Sequence, residues 1–104
     1  AYEIPKRDWS SDVCSSDLLP DGDGNMLDHA MIVWGSNMSN SNAHNHFPLP
    51  MTILGGASGK VKGGQHIKYA DQTPLSNLLL TVAQRAGVEV EKVGDDGTKS
   101  MSEV

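Results

Sequence analysis

The chain has 104 residues, with 13 acidic against 8 basic side chains for a formal charge of −5, 38% hydrophobic residues and one cysteine. That length admits one small domain, burying roughly 60 to 65% of the surface its unfolded chain exposes, and no apolar run approaches the roughly 18 residues of a membrane span. Lys60, Lys62, Lys68, Arg85, Lys92 and Lys99 are scattered without interleaved aromatics, which excludes a nucleic-acid-binding stripe.

Residues 1–7 carry no assignable role, and no signal peptide opens the chain. Residues 8–18 have a periodicity of neither 2 nor 3.6 and show no turn or cap logic. All eleven positions, Asp8 through Cys14 to Leu18, back-translate in frame onto a read-two adapter used in short-read library preparation. The stretch is therefore taken as a translated adapter rather than a Ser/Asp-rich linker, and is set aside from the fold. This removes three aspartates, the only cysteine and one of two tryptophans, so the charge becomes about −2 and implies no partner. No disulfide framework or thiol chemistry remains. Residues 19–104 are expected to be the C-terminal fragment of a larger domain, marginal in isolation.

Asp21-Gly22-Asp23-Gly24-Asn25 resembles the start of a calcium loop, but Met26 stands where a glycine is required and Ile32 where a bidentate glutamate is required. A Gly/Asp turn leading into a strand is expected instead. His29, beside Asp28, is a turn-capping or exposed histidine or, alternatively, a ligand. Met31-Ile32-Val33-Trp34, ended by Gly35-Ser36-Asn37, is a short continuous apolar run that suits a strand buried on both faces of a parallel sheet. Met51-Thr52-Ile53-Leu54, ended by Gly55-Gly56, is a second such run, and the Ser/Asn/His/Pro-rich residues 38–50 between them have loop composition.

Gly55-Gly56-Ala57-Ser58-Gly59-Lys60 lacks the GxxxxGK[ST] spacing of a phosphate loop and is expected to be a flexible glycine loop. Residues 60–69 suggest two short extended pieces around Gly63-Gly64, and the isolated His66 is structural or exposed. The spacing then predicts a helix, with Thr73 as N-cap, Pro74 at the first helical position and Gly87 as left-handed C-terminal cap. Leu75, Leu78, Leu79, Val82, Ala83 and Ala86 fall on one stripe that should pack on the sheet. From Glu89 onward the chain is expected to form surface turns and a frayed end. The expected fold class is α/β: a partial, mostly parallel sheet with one C-terminal amphipathic helix.

His44-Asn45-His46 is the most site-like cluster. In extended backbone, residues two apart point to one side, so both imidazoles could converge on a metal or phosphate, with Ser36 and Asn37 at the same rim. The alternative is a polar surface loop with two solvated histidines, because a catalytic zinc typically has three protein ligands.

Taken in order, Leu-Pro-Asp-Gly-Asp-Gly-Asn-Met-Leu-Asp-His from Leu19, Met-Ile-Val-Trp-Gly-Ser-Asn-Met-Ser from Met31 and His-Asn-His-Phe-Pro-Leu-Pro from His44 resemble the end of the bacterial HXXSHH-motif proteins. Gly63-Gly64-Gln65-His66, the helix start from Thr73 to Leu78, and Gly87-Val88 through Gly94-Asp95 continue the likeness across residues 19–104. The HXXSHH motif itself is not in this chain. That family is similar to the alkaline-phosphatase and sulfatase superfamily, whose metal ligands sit on loops after the strands of a central sheet. The resemblance implies an alkaline-phosphatase-like domain and a periplasmic or secreted protein. It makes His46, before Phe47-Pro48, the first candidate metal ligand and His44 the second.

Asn37-Met38 departs from the Asp-His or Asp-Asn pair expected of sulfatase-like members: neutral Asn binds divalent cations less strongly than Asp, and Met is a poor ligand for hard ions. The implied activity is metal-assisted hydrolysis of a phosphate or sulfate ester in the full-length parent, with a divalent metal as cofactor. This chain is not expected to be active without the remainder of its parent domain. The alternative is a non-catalytic member of the same superfamily that binds a small molecule, a glycan or a protein.

Overall fold

The computed structural model describes residues 18–104. Residues 1–7 and all but Leu18 of the adapter-like stretch lie outside the described residues.

The chain opens with a hairpin in which β1 (Pro20–Asp21) pairs antiparallel with β2 (Gly24–Asn25) across the two-residue turn Gly22-Asp23. The expected turn is there, but a short helix α1 (Met26–His29) follows it before the next strand. A reciprocal capping box sets its start: Asn25 Oδ1 accepts from the Asp28 amide at 2.9 Å, and Asp28 Oδ2 accepts from the Asn25 amide at 2.9 Å.

β3 (Ile32–Gly35) and β4 (Met51–Leu54) correspond to the two apolar runs, and they pair directly with each other. The register is Ile32 with Leu54, Val33 with Ile53, Trp34 with Thr52 and Gly35 with Met51, all antiparallel. The expectation of a mostly parallel sheet is therefore wrong: among the described residues there are two small two-stranded antiparallel sheets and no parallel pair. The cause lies in residues 36–50. Parallel strands need a crossover, usually a helix. This segment instead folds back on itself and returns the chain beside β3, where the Ser36 amide donates to Pro50 O at 3.3 Å. Nor are the runs buried on both faces. Met51 and Ile53 pack inward, whereas Trp34 on the other face is 50% exposed.

After β4 the Gly55–Lys60 stretch is packed rather than free. The Gly56 amide donates to Leu27 O and the Ala57 amide to Ala30 O, both at 3.0 Å, tying the end of β4 to α1. A tight turn (Ala57–Gly59) follows in which Ala57, Ser58 and Gly59 all have positive φ, of 46°, 56° and 83°. Residues 60–69 form no strand.

α2 (Leu75–Arg85) confirms the expected helix but not its expected start or buried face. Pro74 occupies the N-cap position, and the Thr73 hydroxyl donates back to Ala70 O at 2.7 Å rather than capping the helix. At the other end Gly87 has φ +89°, its amide donates to Gln84 O and the Val88 amide donates to Ala83 O, a Schellman closure that a Cβ would strain.

Of the predicted stripe, Leu78 is buried but Leu75 and Leu79 are 37% and 43% exposed, and Ala86 is exposed. The buried face carries Asn77, Leu80 and Thr81 instead. Asn77, Thr81 and Arg85 stand one turn apart and hold the C-terminal segment. Asn77 Oδ1 accepts from the Thr98 and Lys99 amides at 3.1 Å each. Thr81 Oγ1 accepts from the Met101 amide and donates to Asn77 O, both at 2.8 Å. Arg85 Nη2 donates to Val104 O at 3.0 Å.

The segment expected to fray is therefore docked. Its Met101 and Val104 join Leu78 in the buried cluster, against which Met51, Ile53, Tyr69 and Val82 pack. A two-stranded sheet is marginal by itself in water. Here the helix and the docked C-terminal segment cover one of its faces.

Candidate functional site

The loop of residues 36–50 is built from polar side chains that satisfy its own backbone. Ser36 Oγ donates to Met38 O at 2.8 Å and accepts from the Met38 amide at 3.1 Å, which turns the chain out of β3. Ser39 and Asn45 then close a small hairpin, with the Ser39 amide donating to Asn45 O at 2.8 Å and the Asn45 amide to Asn40 O at 3.1 Å. Asn40 Oδ1 accepts from the Asn42 and Ala43 amides at 3.0 and 3.1 Å, fixing the tip. Asn45 Oδ1 accepts from the Phe47 amide at 2.9 Å, just before the cis Phe47-Pro48 bond.

His44 ends the tip with φ +50°, so the extended backbone assumed for the His44/His46 pair is not present. In a left-handed residue the rule that side chains two apart share a side no longer holds. His46 lies on the returning limb, and its Nδ1 donates to Asn37 O at 2.8 Å. A carbonyl only accepts, so the proton is on Nδ1, and in the neutral ring Nε2 carries the free lone pair. Ring orientation by a backbone carbonyl on the far nitrogen is the usual support of a metal-ligating histidine.

Ser36, Asn37 and His46 are thus brought to one loop stem, Asn37 through its main-chain carbonyl and Ser36 as a turn former, while His44 sits at the tip. All four are exposed. Among the described residues, no group of three or more His, Cys, Asp or Glu side chains could hold a metal ion.

The densest polar cluster lies elsewhere, around His29. Its Nδ1 lies 3.0 Å from Asp21 Oδ2 and its Nε2 lies 2.9 Å from Asp23 Oδ1. Both nitrogens face acceptors, which is the geometry of an imidazolium clamping the β1–β2 hairpin to α1. The Asp21 hydrogen bond is the main cause that raises the His29 pKa above 6.5, opposed by partial desolvation and reinforced by Asp23. Asp23, Gly24, Asp28, His29, Ser58 and Gly59 line an open cleft of about 560 Å³. Asp21 and Asp23, alternating ahead of His29, are the sequence sign of this cluster, although their pattern by itself indicates no more than a Gly/Asp turn.

Because the folded-state pKa is raised, the stabilisation from this clamp is complete below pH 6.5 and is lost as pH rises through the higher folded value. NMR titration is expected to place the His29 midpoint above 6.5 and to show it falling in Asp21→Asn. An unchanged midpoint in that variant would remove the Asp21 carboxylate as the cause.

No helix among the described residues is long and apolar enough to cross a membrane. Comparison of the chain with protein-family models, with curated proteins and with solved structures finds no match.

Proposed function

We propose that residues 36–50 form one wall of the ligand site of a phosphate- or sulfate-ester hydrolase domain, with His46 as principal contact and His44 as the second. The observation that carries this is the 2.8 Å hydrogen bond from His46 Nδ1 to Asn37 O, which orients the ring and leaves Nε2 free to meet a ligand. The resemblance to the HXXSHH-motif proteins, and through them to the alkaline-phosphatase and sulfatase superfamily, supports the reaction class.

The described residues do not by themselves make a divalent-cation site. They offer imidazole nitrogens, but residues 29–70 contain no carboxylate, and hard divalent ions need oxygen ligands. Those ligands come, on this proposal, from polypeptide other than residues 18–104, so no catalytic step is assigned to this chain alone. A cation completed in that way would polarise the ester and acidify a bound water. The lack of a carboxylate near His46 favours a second proposal, a non-catalytic site that binds a small molecule, glycan or protein through the same loop.

Titration with Zn²⁺ monitored by ¹⁵N NMR distinguishes the two. The hydrolase proposal expects the His46 Nε2 resonance to shift first, His44 to follow and the isolated His66 to lag, with the response lost in His46→Ala. Equal response at His44, His46 and His66 would mean that the loop has no preference for a cation, and would leave the non-catalytic site.

A further inference from the structure

We infer that residues 60–69 form a docking strip for a sulfated polysaccharide. Charge is segregated along this chain. Residues 18–28 carry Asp21, Asp23 and Asp28 with no lysine or arginine, and residues 71–104 are acidic in balance. Between Asp28 and Asp71 there is no carboxylate at all, and the only full cations there are Lys60, Lys62 and Lys68, with His66 among them. All four of these side chains are exposed, whereas Val61, Ile67 and Tyr69 between them are half-buried.

None of the four is held in an ion pair among the described residues, where the ion pairs formed are those of His29. The backbone beneath Lys60 and Lys62 is anchored. The Lys60 and Val61 amides both donate to Gly56 O, at 3.1 and 3.2 Å. Gln65 Nε2 donates to Lys62 O and to Glu103 O, so its side chain staples the strip to the docked C-terminal segment. The Glu103 carboxylate beside it accepts from the Tyr69 hydroxyl at 3.3 Å rather than from a lysine. Cations presented from an anchored backbone lose less freedom when they bind a row of anions.

The chemistry favours sulfate groups on a sugar polymer over a nucleic acid. Base recognition in single strands depends on exposed aromatic platforms. The strip's one aromatic, Tyr69, packs against the core with its hydroxyl committed to Glu103. This inference does not depend on the proposal for His46, which concerns residues 36–50, and its test leaves that loop untouched.

The test is binding of the full 104-residue chain to dextran sulfate, to unsulfated dextran and to a single-stranded oligonucleotide, in low and moderate salt. The expected result is salt-sensitive binding to dextran sulfate alone. Lys60→Gln/Lys62→Gln should weaken it by roughly tenfold, the order of two exposed charge contacts, while Lys92→Gln/Lys99→Gln, with the same change in charge, should leave it within about twofold. Equal losses in the two double variants, tighter binding to the oligonucleotide, or no binding to dextran sulfate would each overturn the inference.

Discussion

Replacing Asn77 by alanine is expected to lower the stability of the fold by about 1–3 kcal/mol, because the Lys99 amide loses its acceptor in a part-buried position and the Thr98 amide keeps only its bond to Asp96 O. The side chain is 6% exposed, so water cannot fully replace the lost bonds without entering the space it leaves. Asn77 is one rung of a ladder that continues through Thr81 to the Met101 amide and through Arg85 to Val104 O. Loosening the first rung should therefore loosen the rest. Hydrogen exchange is expected to show the amides of Lys99 and Met101 losing protection together while α2 keeps its own. Retained protection at Lys99 would mean that apolar contacts of Met101 and Val104 suffice to dock the segment.

Gly55→Ala should cost a comparable amount, about 2–4 kcal/mol, from backbone strain added to steric overlap. Gly55 has φ +97°, and a Cβ there would press on the carbonyl oxygen of Ala30 and come within 2.9 Å of that of Leu27. Neither obstacle is a flexible side chain that can swing away. The same two carbonyls accept from the Gly56 and Ala57 amides, so relieving the overlap would break the join between β4 and α1. Gly63→Ala is the control: nothing lies within 4 Å of the position a Cβ would take, and its φ is not in the left-handed region. It should be neutral or stabilise slightly, by up to about 0.5 kcal/mol. Chemical denaturation of both variants measures the difference, and equal losses would contradict the steric account.

These two positions also show what the sequence could and could not reveal. The apolar runs mark the β3–β4 positions to within a residue, and Gly87 marks the end of α2, because short apolar runs and left-handed caps are local signals. Strand direction is not local. It depended on whether residues 36–50 cross over or turn back, and that was decided by side chain-to-backbone bonds of Ser36, Asn40 and Asn45 that composition alone does not specify.

The buried face of α2 was hidden for a related reason. An apolar stripe through Leu75 and Leu79 gave the stronger hydrophobic signal, yet Asn77 and Thr81 are buried because their partners are main-chain groups of a segment with no apolar periodicity. Polar residues one helical turn apart, Asn77, Thr81 and Arg85, were the available sign. At the candidate site, the residue types at 36, 37, 44 and 46 pointed to the loop, whereas the Asn37 carbonyl that orients His46 is carried by the backbone of every residue and has no sequence signature.

His46 offers an oriented ligand nitrogen only with its proton held on Nδ1 by the Asn37 carbonyl. A long-range ¹H–¹⁵N correlation spectrum of the chain at alkaline pH reads that pattern directly. It is expected to show His46 as a single tautomer with the proton on Nδ1 and an unprotonated Nε2, and to show that preference weakening when the loop stem is disturbed by Ser36→Ala. A His46 ring carrying its proton on Nε2, or averaging between tautomers as a solvated imidazole does, would leave no oriented nitrogen for a ligand.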